Sequence, residues 1–291
     1  MEVRCVTDVR ALLGESPVWS DAERAVFWID ILGKHLHRTY PSTHETTTWD
    51  LPSHPGMIAL RESGGLVIAL QDGLYGFEPA SARLELLVPL EADMPENRAN
   101  DGKVDSAGRL WLGTMNLRDG SQPTGGLYRI DTDGTVAKIN HGYRIPNGLA
   151  WSPDDEVMYH TDTRSGVVDR YAFDKASGSI SDRQDFFKFD RQTEGGVDGA
   201  SIDSEGNYWV AFYGGSKIRR ILPSGDVDEE ISLPVSQPTM PAFGEADGKT
   251  IFITSARQNL TGDSLAKQPL AGALLAITVK HRGHANFAYR G

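Results

Sequence analysis

The chain has a single cysteine among its 291 residues, Cys5, which rules out an internal disulfide and leaves no thiol metal site. A lone cysteine of this kind reads as a small buried hydrophobe rather than a nucleophile. Cations are scarce too: 29 Lys and Arg face 40 Asp and Glu, for a formal net charge of −11. Binding to nucleic acid through phosphate neutralisation needs clustered Lys and Arg, so that class of partner is not expected. No apolar run approaches the roughly 20 residues of a membrane span, and Met1-Glu2-Val3-Arg4-Cys5 opens straight into strand-like sequence without an apolar signal core. The histidines show neither metal-ligand spacing nor pairing with a serine in a nucleophile elbow. Helical periodicity is nowhere sustained, and no linker or low-complexity stretch divides residues 1–291. These absences leave one all-β domain, expected in the cytoplasm as a monomer or small homo-oligomer.

What the chain does have is a recurring hairpin. Asp105-Ser106-Ala107-Gly108 precedes Leu110-Trp111-Leu112, Asp203-Ser204-Glu205-Gly206 precedes Tyr208-Trp209-Val210, and similar turns lead into Val26-Phe27-Trp28, Leu66-Val67-Ile68, Val157-Met158-Tyr159 and Ile251-Phe252-Ile253. Asp, Ser and Gly tolerate the backbone angles of tight turns. A third strand with period-two alternation often follows, as in Lys217-Ile218-Arg219-Arg220-Ile221. The units recur roughly every 40–50 residues, the spacing of propeller blades. The expected architecture is therefore a six-bladed β-propeller with four-stranded blades around a central channel. Closure is expected to mix the chain ends, with a strand over Val3–Val9 completing the last blade near Phe287–Tyr289.

A second pattern is superposed on the first. Glu15, Asn100, Asn147 and Asp198 each stand four positions before an apolar anchor: Trp19, Val104, Trp151 and Ile202. Extending the count adds Gly56 before Leu60, and Thr239. Strands disfavour Asp, Asn and Gly, so propensity did not place them there. Either these residues cap turns, or they form a ring of oxygen donors at one mouth of the channel, holding one divalent cation. Oxygen-only ligation favours calcium, magnesium or manganese, and carboxylates also accept zinc or ferrous iron. Arg98 alternates with Asn100, so both can face the mouth while Asp101 turns away. Arg98 either offers its planar fork to substrate oxygens or makes a structural salt bridge. Asp101 either holds loop backbone or touches substrate. His54 and His141 are pocket-lining or surface residues, and the polar segment 116–124 is a lid or a plain loop.

Gly14-Glu15-Ser16-Pro17-Val18-Trp19, Arg98-Ala99-Asn100-Asp101-Gly102-Lys103-Val104-Asp105, Gly113-Thr114-Met115, Asn147-Gly148-Leu149-Ala150-Trp151-Ser152, Asp198-Gly199 and Trp209-Val210-Ala211 together resemble the senescence marker protein (regucalcin) and gluconolactonase family. The likeness runs from about residue 13 to the C-terminus. It implies a propeller that hydrolyses aldonolactones with a bound divalent cation. By motif match Glu15, Asn147 and Asp198 would be the metal ligands, Arg98 and Asn100 would contact sugar hydroxyls, and Asp198 would also be the base. The chain departs from the regucalcin branch after Gly-Thr-Met. An acidic residue follows shortly there, whereas Asn116-Leu117-Arg118-Asp119 stands here. Arg118 near the pocket points instead to a substrate carrying an anionic group.

Lactone hydrolysis needs a polarised carbonyl, an activated water and a proton for the departing alkoxide. A cation meets the first need and lowers the pKa of water for the second. Asp198 would orient or deprotonate that water if one of its oxygens is free of the cation, and Arg98 and Asn100 would position the ring hydroxyls. Two rival readings share the ring: a metal-dependent esterase or phosphotriesterase, and a non-catalytic calcium-binding propeller.

Overall fold

The computed structural model describes residues 2–118 and 120–291. Six four-stranded antiparallel sheets follow one another along the chain. Their innermost strands are Gly14–Ser20, Met57–Leu60, Asn97–Val104, Pro146–Trp151, Gly196–Ile202 and Pro238–Gly244. Each of these neighbours the next, and the sixth returns to the first, so the sheets close as the blades of a propeller. One short helix, Gly262–Lys267, lies in the sixth blade's loop. No helix among the described residues is long and apolar enough to cross a membrane.

A blade is a sheet covered on both faces by its neighbours, and the second strand of each carries that burden. Ala25–Asp30, Leu66–Leu70 and Thr250–Ser255 are buried at every position, which is why these runs read as continuously apolar rather than alternating. The outermost strands are exposed to solvent instead, as in half-exposed Thr46–Asp50. The core is accordingly a ring of six apolar clusters, one between each pair of adjacent blades.

The turn aspartates lock the hairpins. Asp105 Oδ2 accepts from Arg109 Nε at 2.7 Å and from Trp111 Nε1 at 3.0 Å, while its Oδ1 takes the Ala107 and Arg109 backbone N–H groups. Asp203 repeats the device in blade five, accepting from Trp209 Nε1 at 3.0 Å and Arg220 Nε at 2.8 Å. The recurring Asp…Gly…Trp spacing of the sequence thus marks a buried, fully paired carboxylate that fastens the first strand's turn to the second strand.

Closure differs from expectation in one respect. The N-terminal strand does complete the sixth blade, but over Arg4–Cys5 only, paired with Leu275–Thr278 rather than with Phe287–Tyr289. The C-terminal tail crosses the far mouth of the channel instead. Gly283 N–H donates to Gly248 O and His284 N–H to Ile202 O on blades six and five; Tyr289 N–H donates to Leu60 O and Arg290 N–H to Gly108 O on blades two and three. Buried Tyr289 anchors this crossing within the cluster between blades two and three. Two free-standing aromatic residues carry no pairing signal of their own, and packing decided their place.

Candidate active site

The ring residues lie where the innermost strands begin, at the mouth opposite the tail. In five of the six blades the strand is bulged there, between Glu15 and Val18, Ala99 and Gly102, Asn147 and Ala150, Val197 and Ala200, and Pro238 and Pro241. A bulge adds a residue to one strand and re-aims a side chain, which is how these polar groups leave the blade faces and turn to the channel. Local chemistry supports each bulge. Gly148, just after Asn147, sits at φ +69°, and a Cβ there would stand 2.4 Å from Tyr208 Oη. Ser16, just after Glu15, holds φ +49°, offset by its hydroxyl accepting from Ile58 N–H at 2.9 Å on blade two. Blade two lacks the bulge, and its ring position, Gly56, has Ala99 backbone 2.3 Å from where a Cβ would be.

Glu15 from blade one and Asp198 from blade five stand near enough for each to perturb the other's carboxyl. Burial pushes both carboxyls well above the usual range, and the neighbouring carboxylates push further, Asp198 and Asp101 on Glu15 and Asp101 on Asp198. The nearby cation is Arg98, 6 % exposed and itself lowered to about 10 by burial, against the pull of Glu15 and Asp198. Its Nη1 donates to Ala99 O and to Asn100 Oδ1, both at 2.8 Å. Asn100 then donates through Nδ2 to Pro146 O at 2.9 Å and to Asn147 Oδ1 at 3.1 Å. The carboxamide of Asn100 is therefore spent on protein partners, and it orients Arg98 on one side and Asn147 on the other.

The Asn147 amide has a determined orientation. Its Nδ2 donates to Thr163 Oγ1 at 2.8 Å, and Thr163 in turn donates to Val197 O at 2.7 Å. A hydroxyl whose hydrogen is committed can only accept from the amide, so Nδ2 faces Thr163 and Oδ1 faces the ring. Thr163 was not legible in the sequence; it lies in the turn just after the strand Val157–Asp162. Asp101 points the other way: its Oδ2 accepts from Leu149 N–H at 3.0 Å, holding the blade-four bulge. Burial raises its carboxyl to about 6 and lowers the amine of adjacent Lys103 to about 8. The Lys103 ammonium donates across the channel to Ala200 O. Below it lies a small cavity of about 60 Å³ walled on the far side by His284, Ala285, Asn286 and Phe287 of the tail.

Glu15 and Asp198 thus bring two carboxyls near one another, and Asn147, on the blade next to Asp198, offers a carboxamide oxygen at the equivalent strand start. An all-oxygen set carrying two negative charges and raised carboxyls is what a hard divalent cation would stabilise, so these residues fit the ion that the motifs imply. Other acidic groupings fit less well. Asp203, Glu205 and His281 approach one another at the far face, as do Asp228, Glu229 and His281. Arg220 already pairs there with Asp203, Glu205 and Asp228, so that charge is balanced without a metal.

Other sequence candidates fall outside the ring. Arg118 is exposed on the rim of blade three, its backbone N–H donating to Asn116 Oδ1 at 3.1 Å. His141 is exposed on the outermost strand Val136–Tyr143, far from the position expected of a pocket-lining residue. His54 is half-buried close to Arg98 and Lys34. Asp119 lies outside the described residues; either side of it, Leu117 N–H donates to Glu96 O and Thr124 Oγ1 to Asn97 Oδ1. Tyr213 is one group that sequence reasoning missed. It is half-buried at the mouth with its hydroxyl raised to about 12, first by burial.

Residues 13–257 match the family model described as the SMP-30/gluconolactonase/LRE-like region. The chain belongs to this family. Among its relatives are a 6-deoxy-6-sulfogluconolactonase of Pseudomonas putida, 38 % identical over 99 % of each chain, and the regucalcin of Xenopus laevis, 34 % identical over 100 % of this chain and 99 % of the relative. A solved calcium-binding regucalcin of Agrobacterium tumefaciens superposes with a TM-score of 0.94 at 30 % identity, covering 99 % of this chain and 97 % of that one. Membership of the SMP-30/gluconolactonase family makes the chain a hydrolase of the gluconolactonase type, acting on carboxylic ester bonds. The Glu15–Asn147–Asp198 cluster lies wholly within the matched region.

Proposed function

We propose that the chain hydrolyses a sugar lactone to its aldonic acid with one divalent cation held by Glu15, Asn147 and Asp198, and that the sugar carries an anionic substituent. The approach of two carboxyls raised by burial, with the fixed Asn147 amide at the equivalent position of the next blade, supports the first part. When bound, the cation supplies Lewis-acid polarisation of the lactone carbonyl and acidifies water.

The protein's own groups do the rest. One Asp198 oxygen left free of the cation orients the attacking water and takes its proton. The water oxygen bonds to the carbonyl carbon, that carbon's bond to the ring oxygen breaks, and Asp198 returns the proton it took to the departing ring oxygen, which ends as a hydroxyl. Arg98 keeps its other guanidinium nitrogens for substrate oxygens, because among the described residues only Nη1 makes hydrogen bonds. The buried surroundings strengthen each of these contacts relative to water. Thr163 acts through Asn147. Thr163→Val should let the amide turn and weaken cation affinity about 10- to 100-fold, which titration calorimetry would read; unchanged affinity would mean that the amide orientation is irrelevant to the site.

Support for an anionic substituent comes from exposed Arg118 at the rim, in place of the acidic residue of the regucalcin branch, and from a relative named for a sulfonated gluconolactone. The test is a panel of plain and 6-sulfonated lactones given to metal-stripped protein, with calcium, magnesium, manganese, zinc and ferrous iron added back singly. Metal-restored turnover above the spontaneous rate is expected, highest on the sulfonated lactone. Arg118→Ala should lower kcat/KM for that substrate by about tenfold and leave the plain lactone unchanged. Turnover with no metal sinks the cation reading, and equal effects on both substrates sink the anion reading.

A further inference from the structure

Tyr213 is a polar group near the ring that the steps above do not use. It ends the second strand of blade five, Tyr208–Tyr213, and pairs with Gly196, two residues before Asp198. Its ring packs beside the cluster that contains Leu13 and Ala256, so it leans over the sixth blade's mouth toward the first. There Gln258, from the blade-six loop, donates through Nε2 to the phenol oxygen at 2.9 Å. A phenol that accepts from a carboxamide carries its own hydrogen on another side of the oxygen. Asp198 and Glu15 both lie close enough for their charge to bear on it. With a cation on those two carboxylates and the remaining Asp198 oxygen turned to the attacking water, the phenol hydrogen is left for substrate.

We infer that Tyr213 is a further catalytic residue of the lactone hydrolysis proposed above, its hydroxyl donating a hydrogen bond to the substrate oxygen that gains negative charge as water adds to the carbonyl carbon. The inference rests on that reading. No proton is transferred: the phenol keeps its hydrogen, and the water's proton goes to Asp198. The group is held before substrate arrives, by Gln258 on one side and apolar packing on the other. Donors fixed in advance at a developing charge are effective because they need no reorganisation during the reaction.

Tyr213→Phe removes one oxygen and keeps the ring. With cation-loaded protein, kcat is expected to fall about 100-fold, with KM, cation affinity by calorimetry and melting midpoint unchanged. A kcat within about threefold of wild type, or a fall explained by lost cation affinity, overturns the inference. Gln258→Leu keeps the phenol and removes the group that aims it, so its loss in kcat should be smaller. A larger loss in Gln258→Leu than in Tyr213→Phe also overturns it, since the amide would then be the group that touches substrate. Wild-type inactivity on every lactone removes the underlying reading, whereas full activity in both wild type and Tyr213→Phe removes this inference alone.

Discussion

Asp198→Ala is expected to reduce lactone turnover by at least about 10⁴-fold, while the cation-free variant melts no lower than the cation-free wild type. The first effect follows from the proposed mechanism, in which the substitution removes both a cation ligand and the group that takes the proton from water. The second follows from electrostatics. Asp198 shares a buried pocket with Glu15 and feels Asp101, and burial already raises its carboxyl well above the usual range. Without a cation, removing one of these buried carboxyls relieves a burial cost and the push of Asp101, which outweigh the lost contact with Glu15. Steady-state kinetics and thermal melts in chelator check both halves. A melting point that collapses while residual turnover persists would identify a structural ion and return weight to a non-catalytic calcium-binding propeller. Turnover of aryl esters or phosphotriesters in place of lactones would favour the neighbouring hydrolase chemistry.

The stability of the cation-free protein is expected to fall as pH rises from about 5 to 7.5, and added cation should offset that fall. Glu15 and Asp198 are raised from ordinary values of 4.5 and 3.8, and Asp101 reaches about 6. An acid raised in the folded state holds more protons folded than unfolded between its two values. Its contribution is therefore present at low pH and lost as pH climbs through the folded value. Lys103 works oppositely, but only between its lowered value of about 8 and the ordinary 10.5, above the window used. A cation at 100 times its dissociation constant adds about 2.7 kcal/mol, or roughly 5–10 °C in a chain of this size. The cation-induced shift should grow with pH and vanish in the double variant Glu15→Gln, Asp198→Asn. A shift that is constant with pH would show that the ion binds elsewhere.

Much of the fold was legible because its signals are local. The Asp…Gly…Trp hairpins repeat, and each repeat proved to be a carboxylate fastening an indole N–H. The ring positions stood out for a related reason: Asp and Asn at strand starts contradict propensity, and the strands are bulged there. What escaped depends on contacts between distant segments. Thr163 and Tyr213 belong to no motif of the sequence, and their contacts with Asn147 and Gln258 come from the folded chain. His141 carried no mark separating an outermost strand from an innermost one. Spacing put Asn100 in the oxygen ring and the family resemblance implied a contact with sugar hydroxyls; its hydrogen bonds tie blade three to blade four.

The tail that crosses the far mouth, from Gly248 and Ile202 to Leu60 and Gly108, makes the active-site pocket a room with one door. Whatever enters past Arg118 must leave the same way, so acid product and incoming lactone compete for a single passage rather than following one another through the barrel. Product inhibition should therefore be competitive. The strap also turns the last residues into working parts of the fold: Tyr289 is buried and Arg290 is tied to blade three. An affinity tag or fusion placed at Gly291 would pull on the floor of the catalytic chamber, whereas the N-terminal strand lies on the outer edge of a blade, away from it.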